Sequence, residues 1–393
     1  MKSTPAIPPG VWVLGFVSLL MDISSEMIHS LLPLYLTVGL GASALAVGVI
    51  EGLAESTALI VKMFSGTLSD RWRKRKAITA FGYGLAAFSK PLFALATGPL
   101  LVFFARFLDR IGKGIRGAPR DALIADLTPP EIRGAAFGLR QSLDTIGAFA
   151  GPLLAMALML AWNDDFRAVF WVAVIPAMLS FLLVAFAVKE PDAPPATAKA
   201  EKISLDRATL RKLGSAFWGI TAAGTALTLA RFSEAFLILR GSDLHMELAY
   251  APLILVGMNV VYATTAYPVG RLADRMSRRT LLFIGIAFLV AADIVIAMSS
   301  GLVALAIGIA LWGLHMGFTQ GVFSAMVAQA APAALRGTAF GAFNLASGIA
   351  MLAASALAGA LWQFVGPAAT FVAGAALATL SFVITVFAIR QSP

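Results

Sequence analysis

The stretch GTLSDRWRKRK, residues 66–76, returns at an offset of 204 as GRLADRMSRR, residues 270–279. A second pair keeps nearly the same spacing: PPEIRGAAFG at 129–138 is matched by PAALRGTAFG at 332–341, an offset of 203. Two independent matches at nearly one offset imply an internal duplication, so the chain reads as two copies of one structural unit. SSEMI at 24–28 against FSEAF at 232–236 is a weaker third echo.

What lies between these charged loops is apolar. Of 393 residues, 59% are hydrophobic and 13% charged, where soluble domains carry roughly a quarter charged, and mean hydropathy is +0.85. Such a chain belongs in a bilayer. Apolar runs recur to residue 389, so the first is read as a span and no segment is expected to be cleaved. Spans need about 20 residues, and twelve are read, at 11–38, 43–66, 77–97, 99–117, 134–161, 166–188, 214–239, 250–270, 280–299, 301–330, 337–362 and 366–389. Glycine and proline are scattered through them and the long alternating strands of a barrel are missing. The expected fold class is therefore an all-α integral membrane protein, its twelve transmembrane helices forming two pseudo-symmetric six-helix bundles. KEPDAPPATAKAEKISLDRATLRK is the single long polar stretch. It divides the chain into an N-terminal bundle, 1–189, a linker, 190–213, and a C-terminal bundle, 214–393.

A formal net charge of +9 would suggest nucleic acid in a soluble protein, but here the basic residues cluster in short loops and no nucleic acid partner is expected. SDRWRKRK holds five basic residues, 189–212 six and GRLADRMSRR four, whereas the opposite loops contribute Arg167 and Arg240. That asymmetry places both termini and the linker in the cytoplasm of a multi-pass protein of the inner (plasma) membrane. Zero cysteines excludes disulfides, thiolate metal sites and cysteine nucleophiles. No Gly-x-x-x-x-Gly-Lys-Ser/Thr loop exists, since IGKGIRG has the wrong spacing, and there is no His-Glu-x-x-His. Neither self-driven ATP hydrolysis nor an enzyme is expected, and no cofactor or metal.

Twelve spans in a duplicated order, a cytoplasmic linker and a Gly-x-Leu-x-Asp-Arg loop followed by basic residues resemble the major facilitator superfamily over essentially the whole chain, in a prokaryotic branch of unidentified substrate. The family loop reads Gly-x-Leu-Ala-Asp-Arg-x-Gly-Arg-Arg/Lys. Gly66, Leu68, Asp70, Arg71, Lys74 and Arg75 carry it here, and Gly270, Leu272, Asp274, Arg275, Arg278 and Arg279 repeat it, with Arg73 and Ser277 where the family has glycine. The resemblance implies a gating role for Gly66, Asp70, Arg71, Gly270, Asp274 and Arg275, the aspartate meeting a helix N-terminus whose unpaired N–H groups favour an anion. The bland reading is that the basic run only sets topology. The resemblance also places spans 1, 4, 7 and 10 around a central substrate path, usually in a monomer.

On span 1, MDISSEMIHS at 21–30 keeps Asp22, Glu26 and His29 at i, i+4 and i+7, one helical face. A charge at bilayer depth costs about 2.5–3.5 kcal/mol on insertion scales, so this face is expected to line a wet cavity. Span 4, LVFFARFLDRIGKGIRG, puts Arg106, Asp109, Arg110 and Lys113 near one face. Arg110 and Gly114 match the family's arginine and glycine there, with Arg106 the competing candidate. Acids of span 1 and bases of span 4 offset each other's burial, either as a coupling network or as static ion pairs. Span 7 supplies Arg231 and Glu234, and span 10 supplies His315 and Gln320. Glu51 and Glu55 on span 2 are read as pairing with Lys62 or Lys90; Asp293 has no evident partner. On span 5, Gly147, Gly151 and Pro152 match part of the family's antiporter signature Gly-x-x-x-Gly-Pro-x-x-Gly-Gly, whose last two positions are Ala155 and Met156. Small residues there also serve plain helix packing.

The function expected from these residues is secondary active transport of a small solute by alternating access, coupled to protons through Asp22, Glu26 and Glu234, with efflux antiport as the favoured direction. Substrate contacts are assigned to His29, Arg106, Asp109, Arg110, Lys113, Arg231, His315 and Gln320. Uptake of an organic anion or a metal complex is the alternative, and a membrane receptor without flux ranks lower, because no enlarged signalling domain is present.

Overall fold

Helix follows helix through the computed structural model, which describes residues 6–72, 74–189, 206–272, 275–332 and 335–388, with the backbone alone described at 66–68, 70, 71, 208 and 388. Among the described residues twelve long helices are formed: α1 Pro9–Gly39, α2 Ala44–Trp72, α3 Arg75–Leu95, α4 Pro99–Leu127, α5 Arg133–Ala161, α6 Phe166–Ala187, α7 Gly214–Asp243, α8 Pro252–Leu272, α9 Arg278–Ala297, α10 Leu302–Ala330, α11 Arg336–Phe364 and α12 Pro367–Ala388. Eleven are long and apolar enough to cross a membrane. The remaining one is α4, 29 residues long and so ~43 Å at the helical rise. Its sequence carries Arg106, Asp109, Arg110, Lys113 and Arg116 within little more than three turns. The chain is all-α, with no strand among the described residues.

The duplication is written into the backbone. Gly98 opens α4 at φ −167°, ψ 167°, and its repeat Gly301 opens α10 at φ −168°, ψ 170°. Ile132 opens α5 at φ −119°, ψ 10°, and Leu335 opens α11 at φ −120°, ψ 8°. Packing repeats as well: α3 on α4, α1 on α5, α3 on α6 and α1 on α6 are matched by α9 on α10, α7 on α11, α9 on α12 and α7 on α12. Other helix starts are local. Asp165 accepts the N–H groups of Arg167 and Ala168 at 3.0 and 3.1 Å to begin α6, and Ser277 accepts that of Thr280 at 3.1 Å to begin α9. Of the 190–213 linker, 190–205 lies outside the described residues, and Arg207–Arg211 forms one helical turn capped by Asp206.

The chain folds into two compact units, Met1–Leu31 with Ile60–Ala200, and Leu32–Leu59 with Glu201–Pro393. The first has a core of Val11, Leu14, Val17 and Met21 of α1, Tyr83 and Ala86 of α3, Ile124 of α4 and Ala177 of α6. In the second, the early turns of α2 lie backbone to backbone on α11. A Cβ at Gly52 would come within 2.9 Å of Ser355 Cβ, and one at Gly359 within 2.6 Å of the Ala44 carbonyl oxygen. Such approaches need glycine. They seat residues 44–59 with the second unit.

α7 is not continuous. Its helix stops at Ala230 and resumes at Ala235. The intervening Ser233 N–H donates to Ser355 Oγ at 3.1 Å. The SSEMI echo on α1, by contrast, is uninterrupted helix, and α1 breaks only after His29.

Candidate functional site

In the first unit α3 and α4 cross with almost nothing between their backbones. A Cβ on Gly112 would sit 2.6 Å from the Gly82 carbonyl oxygen, and one on Gly82 2.8 Å from the Arg116 nitrogen. Two turns along each helix from this crossing or less, Lys90 meets Asp109. Their Nζ and Oδ1 are 2.8 Å apart, and Lys90 also donates to Ser25 Oγ of α1 at 3.0 Å. Both side chains are almost wholly buried, at 1% and 2% exposure. The other carboxyl oxygen of Asp109 is 3.7 Å from Arg110 Nε. Lys90 therefore belongs to the site although the sequence had suggested Glu51 or Glu55 as its partner. A lysine inside an apolar span, just before Pro91, was the available signal.

The same helix face continues as a ladder of basic groups. Arg106, Arg110 and Arg116 are all buried. The Arg116 guanidinium stacks 4.9 Å over the Tyr83 ring. Arg120 donates to Ser18 Oγ at 2.9 Å, and that hydroxyl lies 3.3 Å from Tyr83 Oη. Arg140 of α5 pairs with Asp144 at 2.9 Å, and Arg120 with Asp121 at 3.1 Å.

α1 brings the acids. Glycines of α5 let the two helices touch: a Cβ on Gly147 would lie 2.9 Å from Asp22 Cβ, and one on Gly151 2.8 Å from Glu26 Cβ. The Gly147, Gly151 and Pro152 segment thus packs directly behind the acidic face of α1, all three being buried. Asp22 is in the field of Arg116, Lys113 and Arg120 of α4 and of Asp144. Glu26 is in that of His29, Lys113 and Arg110, with His29 Nδ1 3.6 Å from its Oε2. Asp22, Glu26 and His29 are half-buried. The structure brings Asp22, Glu26, His29, Asp109, Arg110 and Lys113 together with Arg106 close to Asp109.

The second unit holds the remaining candidates. His315 is fully buried on α10, its Nδ1 3.0 Å from the Gly285 carbonyl oxygen, and it feels the charge of Arg231 at the α7 break. Glu234 is the residue from which the second half of α7 starts, and Gln320 lies half-buried further along α10. Of the gating residues, Asp274 and the side chains of Gly66, Asp70 and Arg71 fall outside what is described. Gly270 has open space where a Cβ would project, and Arg275 is exposed in the turn after α8, its N–H bonded to the Leu272 carbonyl at 3.0 Å.

Charged groups gathered inside a helical bundle, on a twice-repeated fold, define a membrane transport protein. The model of the Major Facilitator Superfamily matches residues 14–240 and 215–393, and the chain belongs to that superfamily. It is a multi-pass membrane protein of a transporter family, not an enzyme. An uncharacterized MFS-type transporter of Methanocaldococcus jannaschii is 32% identical over 383 residues, 96% of this chain and 94% of that protein. The multidrug resistance protein MdtH of Photorhabdus laumondii is 32% identical over 162 residues, 41% of this chain and 39% of its own length. Among solved structures, the nucleoside transporter NupG superposes with a TM-score of 0.78 over 97% of this chain and 100% of its own, at 14% identity, a likeness of fold.

Proposed function

We propose that this protein is a proton-coupled secondary active transporter that moves a small solute by alternating access, acting as a monomer in the inner (plasma) membrane with both termini cytoplasmic. The observation that carries the reading is the placement of Glu26: a half-buried carboxyl on α1, against a glycine of α5, 3.6 Å from His29 and in the field of Arg110 and Lys113. A carboxyl so placed can trade its proton for an ionic contact with a base of α4, and a change in one alters the other. Asp22, among Arg116, Lys113, Arg120 and Asp144, is the second proton carrier, and Glu234 at the α7 break the third. Discontinuous helices are where transporters of many folds handle ions and substrates, which supports a role for Arg231, Glu234 and His315. Asp70 with Arg71, and Asp274 with Arg275, are assigned to gating.

Export by proton antiport is favoured by the Gly147-x-x-x-Gly151-Pro152 match and by the partial likeness to a multidrug resistance protein. The surplus of bases on α4 supports a second reading, uptake of an organic anion, whose charge Arg110 and Lys113 would receive. Reconstitution into vesicles with an imposed pH gradient, and a screen for solutes that collapse or use it, separates the two by direction and charge of the solute. Glu26→Gln should abolish gradient-driven flux while the protein remains folded; full activity in that variant removes Glu26 from the mechanism.

A further inference from the structure

The 203-residue repeat carries Lys90 of α3 to Asp293 of α9, and Asp109 of α4 to Trp312 of α10. In the first unit these positions hold the buried ion pair. In the second they hold an acid and an indole, both completely buried. Neither carboxyl oxygen of Asp293 and not Nε1 of Trp312 has a hydrogen-bond partner among the described residues. The second unit thus has an acid where the first has its lysine, an indole where the first has its acid, and a cation at neither position.

No replacement cation comes from the helices packed around it. α9 lies on α10 and α12. α12 contains no titratable residue, and the single one on α10 is His315, bonded to Gly285 about two turns from Asp293. α7 offers Arg231 and Glu234 at its break, and neither is hydrogen-bonded to the Asp293 carboxyl. The surroundings are otherwise aromatic. Phe232, in the α7 break, lies 5.5 Å from the Trp312 ring and 5.5 Å from that of Phe371.

Space decides what can neutralise the carboxyl. A Cβ on Gly374 of α12 would already lie 2.6 Å from Asp293 Oδ2 and 2.9 Å from Phe232 Cε1. A metal ion would need several further oxygen ligands, which the side chains of Phe232 and Trp312 do not supply. An isolated carboxylate in such a medium carries a desolvation cost beyond what a marginally stable fold can absorb, and such a group neutralises instead. A proton needs no added room and no added ligand. We propose that Asp293 is a proton-binding residue of the second unit, neutral in this conformation and in exchange with water, at the position where the first unit keeps the lysine of its ion pair.

The assignment rests on the interior of the second unit and is independent of what the protein transports. The test is infrared spectroscopy of the full chain in lipid bilayers, in the carbonyl stretching region of protonated carboxyls. Asp293→Asn should lose one such band, and in the unaltered protein that band should move to lower frequency within minutes of transfer to D2O. Independent of whether the variant folds, labelling the protein with carboxyl-13C aspartate must shift the same band. Wild-type spectra with no aspartic acid band, superimposable wild-type and Asp293→Asn spectra, or a band unmoved in D2O would each overturn the proposal.

Discussion

Replacing Lys90 by methionine tests whether the buried pair holds the first unit together. At 2.8 Å two unit charges attract by ~6 kcal/mol at an effective dielectric constant near 20, and the desolvation of both groups opposes this. Methionine keeps the stem and removes the charge, leaving Asp109 buried with Arg110 Nε 3.7 Å away. Removing one partner of a buried pair costs about 3–5 kcal/mol. Because Arg110, Arg116 and Arg106 still act on Asp109, a loss near the lower end, about 3 kcal/mol, is expected. Unfolding of the purified protein in mixed micelles, titrated with denaturing detergent and followed by circular dichroism, reads the loss. The double variant Lys90→Met with Asp109→Leu should recover most of it, since apolar replacement of a whole pair is often neutral. Stability of Lys90→Met within about 1 kcal/mol of the parent, or a double variant no better than either single one, would refute the reasoning.

Gly151→Ala should destabilise by about 1–3 kcal/mol, the cost of overpacking, because its methyl group lands 2.8 Å from Glu26 Cβ; the same titration measures it, and a neutral result would mean α1 and α5 can part without penalty. Gly359→Val, pressing on the Ala44 carbonyl, should cost a similar amount, about 1–3 kcal/mol, and reduce flux in reconstituted vesicles. Arg75→Ala breaks the ion pair with Asp126, yet both side chains are about one-fifth exposed, so less than ~1 kcal/mol should be lost. Tyr83→Phe removes one hydroxyl contact to Ser18 and keeps the ring under Arg116; a loss of about 0.5–1.5 kcal/mol is expected in the same assay.

The duplication was legible because loops repeat their charges, and its 203-residue offset returns in the angles of Gly98 and Gly301. Span ends followed hydropathy, which fails where a helix outlives its apolar stretch. α4 was read to end at 117 and runs to Leu127, because Arg120, Asp121 and Asp126 interrupt the hydropathy without interrupting the backbone hydrogen bonds. The break in α7 left no mark at all: no proline or glycine stands at 231–234, and its free donor is met by a serine 122 residues away. Lys90 escaped for a similar reason. Periodicity along one helix groups Asp22 with Glu26, but it is silent on which residue of another helix will face them, and the Gly82–Gly112 crossing that sets this is visible only in three dimensions.

Ser355 occupies a junction of three segments of the second unit. Its Cβ faces Gly52 of α2, its carbonyl faces Gly48, and its hydroxyl takes the N–H of Ser233 in the α7 break. A displacement of any one of these must be answered by the others, because glycine contacts leave no compliant side chain to absorb it. The hydroxyl therefore ties the α7 break to α11 at the point where α11 rests on α2, and Ser355→Ala would remove that tie while leaving the glycine contacts in place.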